Sequence, residues 1–252
     1  MTLFTLLMTL GFVLIALLLS IWLKLGLERE MVVTTVRSTV QLLIIGYVLK
    51  TVFSLQDPIF ILLMVFLMIG VATQNVVKRG RGVRGITWRV LVTICITEAV
   101  SQGFLMVFDI VPSTPEYIIS TSGMIVGNSM IISSLFLDRF KSEVKTRKQE
   151  ILVLLSLGGT PKQSIYPILK EAIRASMIPS MDSKKTIGLV QLPGIMTGMI
   201  IAGADPIQAV RFQLLIVFAF MASSTLTSII LGFLTYPSFF NKNQQLIADY
   251  SD

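Results

Sequence analysis

Glu98 stands in the middle of a long apolar run, and Gln102 follows it four residues later. Residues four apart lie on the same face of a helix, so the two side chains would project together. If the run crosses a membrane, a charge at its centre costs roughly 2.5–3.5 kcal/mol and requires a reason. Two interpretations are open. Glu98 either pairs with another helix and fixes the bundle, or it lies on a pathway and meets a cation, because hard cations prefer oxygen ligands.

Three more polar residues interrupt apolar runs. Arg37 and Gln41 share one helix face, where a structural partner for Arg37 is favoured over a substrate contact. Asn128 lies among glycines and serines at four-residue spacing, which is typical of close helix packing. The predicted translocation pathway therefore consists of Glu98, Gln102, Arg37, Gln41 and Asn128. Glu98 is the candidate metal ligand.

The composition excludes several kinds of active site. Histidine is absent, which removes the commonest general base and the commonest metal ligand. Cys95 is the single cysteine, so an intramolecular disulfide cannot form. No GxxxxGK[ST] motif is present, so we expect no cofactor on this chain and place any ATP and Mg²⁺ on a partner subunit. The net charge of +7 sits in loops and requires no nucleic-acid partner.

The apolar residues come in blocks that match a lipid bilayer. Hydrophobic residues make up 54% of the chain and charged residues 14%, with a mean hydropathy of +0.81. Soluble domains average about 25% charged residues. About 20 apolar residues cross the roughly 30 Å of hydrocarbon. We therefore predict an all-α polytopic membrane protein, one transmembrane domain over 1–252, with about seven spans at 3–23, 32–53, 58–77, 88–108, 117–137, 186–204 and 207–235.

Loop charges predict the orientation of these spans. The segments 78–89 and 138–150 are rich in lysine and arginine, which marks them as cytoplasmic. If 186–204 spans, the N-terminus lies outside and the C-terminus is cytoplasmic. That segment is rich in glycine and proline and is therefore a weaker helix. A re-entrant segment remains the alternative.

The long cytoplasmic loop 138–185 contains a clear helix start. Gly158 and Gly159 end one helix, Thr160 is a plausible N-cap, and Pro161 suits the first helical position. The following residues are apolar at helical spacing, which predicts an amphipathic helix that Pro179 should end. Two interpretations of this helix are equally open: it lies on the membrane surface, or it is a docking surface for a cytoplasmic protein.

Three stretches resemble known transport proteins. The run LLSLGGTPKQ, residues 154–163, resembles a segment of ABC-transporter permeases that precedes the coupling helix, which inserts into the ATPase subunit. The block Glu171–Gln213 resembles the most distinctive part of the FetB-like permease family, which includes bacterial iron exporters and plant aluminium-tolerance permeases. Arg37 and Gln41, within TTVRSTVQLLIIGYVL, resemble that family's second-span signature.

The resemblance implies a membrane permease subunit of an ABC transporter, without enzymatic activity of its own. It would export iron or a related metal ion, as a permease homodimer in the bacterial plasma membrane, driven by a separate cytoplasmic ATPase subunit. The residues implied in coupling to that ATPase are Gly158, Gly159, Thr160, Pro161, Glu171 and Arg174. The alternatives are a stand-alone secondary transporter or channel for a cation, or an ABC permease for another substrate.

Overall fold

The computed structural model describes residues 3–55 and 57–247, with side chains described for 8–54 and 57–247. The predicted all-α fold is confirmed, because these residues form helices and no strand beyond isolated bridges. The helices are α1 Leu3–Trp22, α2 Glu28–Leu55, α3 Pro58–Arg79, α4 Ile86–Val107, α5 Pro115–Thr146, α6 Lys148–Ser156, α7 Pro161–Lys185, α8 Gly194–Ile201 and α9 Pro206–Thr235.

Six of the predicted spans coincide with long helices. Over the described residues, α2, α3, α4, α5 and α9 are each long and apolar enough to cross a membrane. The 20-residue α1 covers the predicted span 3–23. At 1.5 Å per residue, 20 residues reach about 30 Å, the thickness of the hydrocarbon core.

The chain divides into two compact units. The first ends at Asp57 and contains α1 and α2, which contact each other. The turn between them places Lys24 and Gly26 at positive φ, and the Ser20 hydroxyl donates a 2.8 Å hydrogen bond to Glu28. The second unit begins at Pro58 and contains α3 to α9. We call it the helical bundle.

In the helical bundle, α5 is central and contacts α3, α4, α7 and α9. Its buried Phe136 and Phe140 stack with ring centroids 5.3 Å apart, and Phe239 meets Phe140 edge-on at 4.9 Å. All three rings are fully buried. These rings pack the end of the bundle at which α5 and α9 both finish.

The two basic segments lie at that same end. Lys141 donates a 2.8 Å hydrogen bond to the Arg81 carbonyl, and Arg79 lies 3.9 Å from Asp138. We call this the basic end of the bundle. At the opposite end, Tyr117 at the start of α5 packs against Phe212 near the start of α9, with centroids 5.9 Å apart. Consequently α5 and α9 run in the same direction, toward the basic end.

The predicted continuous span 186–204 is wrong. Only α8 is helical there, and its eight residues reach about 12 Å, less than half of the hydrocarbon core. The preceding stretch from Thr186 to Pro193 is irregular. Gly188 adopts a φ of +83°, which breaks helical geometry. Pro193 has no backbone N–H to donate and serves as the N-cap of α8.

The position of α7 differs from both interpretations of its sequence. Its apolar face packs inside the bundle against α5 and α9, so that Ile165, Ile168 and Ala172 are almost fully buried. The approach is close at Gly232, where an added Cβ would meet Leu169 Cδ1 at 2.9 Å. The apolar face of α7 is therefore available neither to the membrane surface nor to a cytoplasmic protein.

Pro179 does not end α7, which continues to Lys185. A proline inside a helix removes one backbone hydrogen bond and crowds the preceding turn. Contacts on both sides of Pro179 hold the helix in place, because Ser176 lies 3.2 Å from Ser228 and Ser180 lies 3.4 Å from Ser224, hydroxyl to hydroxyl. Packing on α9 therefore overrides the local preference.

Candidate functional site

Glu98 is a buried carboxylate near the middle of α4. Its side chain is 5% exposed, and neither oxygen has a hydrogen-bond partner within the part of the chain that the structure describes. The Ser122 hydroxyl of α5 lies nearby without forming a hydrogen bond of ordinary length. Two free carboxylate oxygens inside a helical bundle can accept a proton or a cation. They do not form a structural ion pair.

Gln102 shares the Glu98 face, as its spacing predicts. Its Oε1 accepts a 2.9 Å hydrogen bond from Thr121 on α5, while its Nε2 remains unpartnered in the described structure. The buried Ser101 hydroxyl, on the same turn, also has no partner there. Gln102 therefore faces α5, and both α4 residues leave unused hydrogen-bonding capacity near the carboxylate.

Asn128 joins α5 to α9. Its amide donates hydrogen bonds to Ser223 at 2.8 Å and to Ser224 at 3.0 Å. Interhelical bonds of this kind are typical of membrane bundles, where small polar side chains hold helices together. The geometry agrees with a packing role for Asn128.

Hydroxyl contacts extend this pattern to four helices. Thr227 on α9 donates to Thr97 on α4 at 3.2 Å. Ser176 and Ser180 of α7 reach α9 through Ser228 and Ser224. We call the resulting set the polar band: Thr97, Glu98, Gln102, Thr121, Ser122, Asn128, Ser176, Ser180, Ser223, Ser224, Thr227 and Ser228.

Lys184 extends the polar band, although it is not among the site residues predicted from the sequence. Its Nζ lies 2.9 Å from the Ser180 carbonyl oxygen and 2.5 Å from the Ser180 hydroxyl, and 5.8 Å from the centre of the Phe220 ring. From the sequence, this residue is predicted to lie in the cytoplasmic loop 138–185. The signal was the spacing of Ser176, Ser180 and Lys184, four residues apart on one helix face.

Arg37 and Gln41 lie on α2, in the first unit, and both side chains are exposed there. Of the five pathway candidates, the bundle therefore brings together Glu98, Gln102 and Asn128.

The turn before α7 has the predicted form. The Thr160 hydroxyl accepts from the Gln163 N–H at 3.3 Å, and Gln163 Oε1 accepts from the Thr160 N–H at 2.9 Å. This capping box and Pro161 at the first helical position fix the start of α7. Gly158 has a φ of +86°, and an added Cβ on Gly159 would meet the Leu154 carbonyl oxygen at 2.7 Å. Both glycines are required by the turn.

The short helix α6 carries apolar side chains that the bundle leaves uncovered. Ile151 is its only buried residue in the described structure. The exposed residues, which we call the α6 surface, are Leu152, Val153, Leu154 and Leu157. At the start of α6, Arg147 lies 2.5 Å from Glu150 and lowers the pKa of that carboxyl. The α6 surface follows directly on α5, at the basic end.

Glu171 and Arg174 are exposed on the side of α7 that faces away from its buried residues. Both residues lie on α7, which also carries Ser176 and Ser180 of the polar band. A contact made at Glu171 and Arg174 would therefore act on that helix.

A dedicated multidentate metal cage is absent from the described residues, because no group of three or more histidine, cysteine or acidic side chains is close enough to hold a metal ion. Glu98 would meet a cation together with hydroxyl and amide oxygens only. A cavity of about 810 Å³ opens beside this region between α4 and α9; it is mostly apolar, with Ser101, Gln208 and Arg211 among its lining residues.

Comparison with protein families gives one match over almost the whole chain. The model of UPF0014, described as an uncharacterised protein family, matches residues 3–240. No solved structure matches the chain.

Three curated relatives cover the chain almost completely. A UPF0014 membrane protein YjkA from Bacillus subtilis is 59% identical over 95% of this chain and 96% of its own length. A probable iron export permease protein FetB from Escherichia coli is 36% identical over 94% and 91%. The protein ALUMINUM SENSITIVE 3 from Arabidopsis thaliana is 35% identical over 93% and 86%. The resemblance to the FetB-like permeases is thereby confirmed.

Proposed function

The chain belongs to the UPF0014 family, and we propose that it is the membrane permease subunit of an ABC transporter driven by a separate ATPase. The observation that carries the proposal is the α6 surface. Three apolar side chains of the short helix α6, together with Leu157 directly after it, are exposed at the basic end, outside the long apolar helices. An exposed apolar patch of this kind marks a protein or membrane interaction site. Because this one lies at the basic end, outside the long apolar helices, we assign it to a cytoplasmic protein.

The structure links that surface to the polar band through one helix. The chain leaves α6, turns at Gly158 and Gly159, and enters α7 through the capping box of Thr160. From there α7 runs 25 residues into the bundle, where Ser176 and Ser180 contact α9. A movement of the ATPase at the α6 surface would therefore be transmitted as a shift of α7 against α9. Glu171 and Arg174, on the free side of α7, are placed to take part in that contact.

The proposed orientation rests on the charges of the loops, and the proposed assembly rests on the family resemblance. Basic loops mark the cytoplasmic side, so the basic end faces the cytoplasm, where the ATPase and its ATP-Mg lie. The N-terminus is then outside and the C-terminus inside the bacterial plasma membrane. Two copies of the chain form the permease.

The cargo is iron or a related metal ion, and it moves outward. This choice is supported by the name of the Escherichia coli relative, a probable iron export permease. The buried and unpartnered carboxylate of Glu98 is the group of the bundle best suited to meet a cation in passage.

The test is complex formation with a P-loop ATPase, taken from the gene neighbourhood if one is encoded there or otherwise supplied from a relative. Leu157 is 78% exposed, so Leu157→Asp removes apolar surface without disturbing the fold. We expect Leu157→Asp to lower the amount of ATPase recovered with the purified chain at least tenfold. Lys242→Asp, at an exposed residue elsewhere near the same end, should leave that amount unchanged. Glu171→Ala and Arg174→Ala should keep the complex and reduce the coupled ATPase rate. If the unaltered chain binds no ATPase, or Leu157→Asp binds it normally, the proposal is wrong.

A second candidate, a stand-alone transporter or channel for a cation, is favoured by one observation. Glu98 has free carboxylate oxygens in the bundle, as a proton-coupled carrier would require. Purified chain in liposomes without any ATPase decides between the two, since cation flux in that preparation supports the second candidate and its absence supports the first.

A further inference from the structure

In the described structure, the short helix α8 and irregular chain connect α7 to α9. α7 lies antiparallel to α9, as a ladder of contacts shows: Leu169 packs near Gly232, Ser176 lies beside Ser228, and Lys184 reaches Phe220. Phe220 is the fifteenth residue of the 30-residue α9. At 1.5 Å per residue it lies about 21 Å from either end of that helix. The last turn of α7 therefore lies near the middle of the membrane.

From this depth the chain continues to the end of the bundle opposite the basic end. It does so through the irregular stretch Thr186–Pro193 and the short α8, which packs on α9, before Asp205 caps the start of α9. The crossing that the loop charges require is thus made by the second half of α7, the irregular stretch and α8 together.

The irregular stretch satisfies part of its backbone locally and leaves its side chains uncovered. The N–H groups of Leu189, Val190 and Gln191 converge on the Thr186 carbonyl at 3.0–3.4 Å. Leu189 is 91% exposed and Val190 83%. Irregular backbone at membrane depth is tolerated only where it is buried in protein or faces water, because hydrocarbon cannot satisfy its polar groups.

Charged side chains beside this stretch favour water over hydrocarbon. Lys185 forms a 2.6 Å ion pair with Asp182, and the two side chains are 73% and 55% exposed. Both residues lie in the last turn of α7, at the depth established by Lys184 and Phe220. Ionised side chains at this depth face a bundle interior or a water-filled cavity, since exposure to lipid costs several kcal/mol.

We infer that Thr186–Pro193, together with Asp182 and Lys185, lines a water-filled pathway through the half of the membrane away from the basic end. That the cargo passes along it rests on the proposed transport function. Water contact itself does not require the ATPase. The wall of this pathway consists of the irregular backbone and the ion pair of Asp182 and Lys185.

The test measures how accessible single engineered thiols are to water. Cys95 is the one cysteine of the chain, so a Cys95→Ala background accepts Leu189→Cys or Val190→Cys as the single reactive site. Phe66→Cys is the matched control, because Phe66 is 58% exposed near the middle of α3, among other exposed apolar residues. A charged methanethiosulfonate reagent reacts with the thiolate, which forms only in contact with water.

We expect the reagent to modify the thiols at 189 and 190 at least tenfold faster than the thiol at 66. Equal rates would overturn the inference. Protection of 189 combined with disulfide formation between two copies would also overturn it, since that result buries the stretch in a dimer contact. Metal transport and ATPase binding are measured on the same variants: if both are present while labelling fails, the proposed function stands and only the pathway assignment is wrong.

Discussion

Replacing Glu98 by glutamine separates the two interpretations of this carboxylate. Glutamine keeps the shape of the side chain and removes its charge. The structure shows no hydrogen bond or ion pair to lose at either described oxygen, and the side chain is 95% buried. A charge at mid-bilayer costs roughly 2.5–3.5 kcal/mol. We therefore expect Glu98→Gln to leave the thermal midpoint unchanged or raised, while metal transport falls at least tenfold, or about 1.4 kcal/mol.

The control is Gln102→Leu, four residues away. It breaks the 2.9 Å hydrogen bond from Thr121 and should cost about 1 kcal/mol of stability. The thermal midpoint is measured in detergent by size exclusion after heating, and transport by intracellular iron content with and without expression. A lowered midpoint for Glu98→Gln, in proportion to the lost transport, would mean that Glu98 holds the bundle together. Unchanged transport would remove Glu98 from the pathway.

Three substitutions test the contacts that position the helices of the polar band. Each is assessed by the thermal midpoint of unfolding. Thr160→Ala removes the cap of α7 and should cost about 1 kcal/mol, with Thr160→Ser restoring it. Asn128→Ala removes the amide that joins α5 to α9 and should cost about 1–2 kcal/mol; an unchanged midpoint would show that the bond does not hold the helices. Gly232→Val should destabilise by about 1–3 kcal/mol, because even a Cβ there lies 2.9 Å from Leu169, and adding Leu169→Ala should relieve the clash.

The sequence alone predicts the six long apolar helices. Their predicted limits agree with α1 to α5 and α9 to within a few residues at most ends, because the length of an apolar run and the thickness of the bilayer define a span with little help from neighbours. The largest difference is α5, which extends as a charged helix to Thr146. The start of α7 was equally readable, since the capping box of Thr160 and Gln163 is local.

The partner of an amphipathic face is not a local property. The apolar residues of α7 satisfy a membrane surface, a docked protein or their own bundle equally well. Their packing against α5 and α9, with the close approach at Gly232, selects the third. For the same reason Pro179 was expected to end the helix, although packing on α9 carries α7 to Lys185.

The sequence by itself determined that the chain is a helical membrane protein, where its six long apolar helices lie, and that Glu98 and Gln102 share a face. These features depend on residues within a few turns of one another. The tertiary structure decided that neither Glu98 oxygen has a hydrogen-bond partner among the described residues, that α7 enters the bundle, and that irregular chain follows Lys185. Those features depend on which helices meet across the bundle, and the order of residues along any single helix does not specify that.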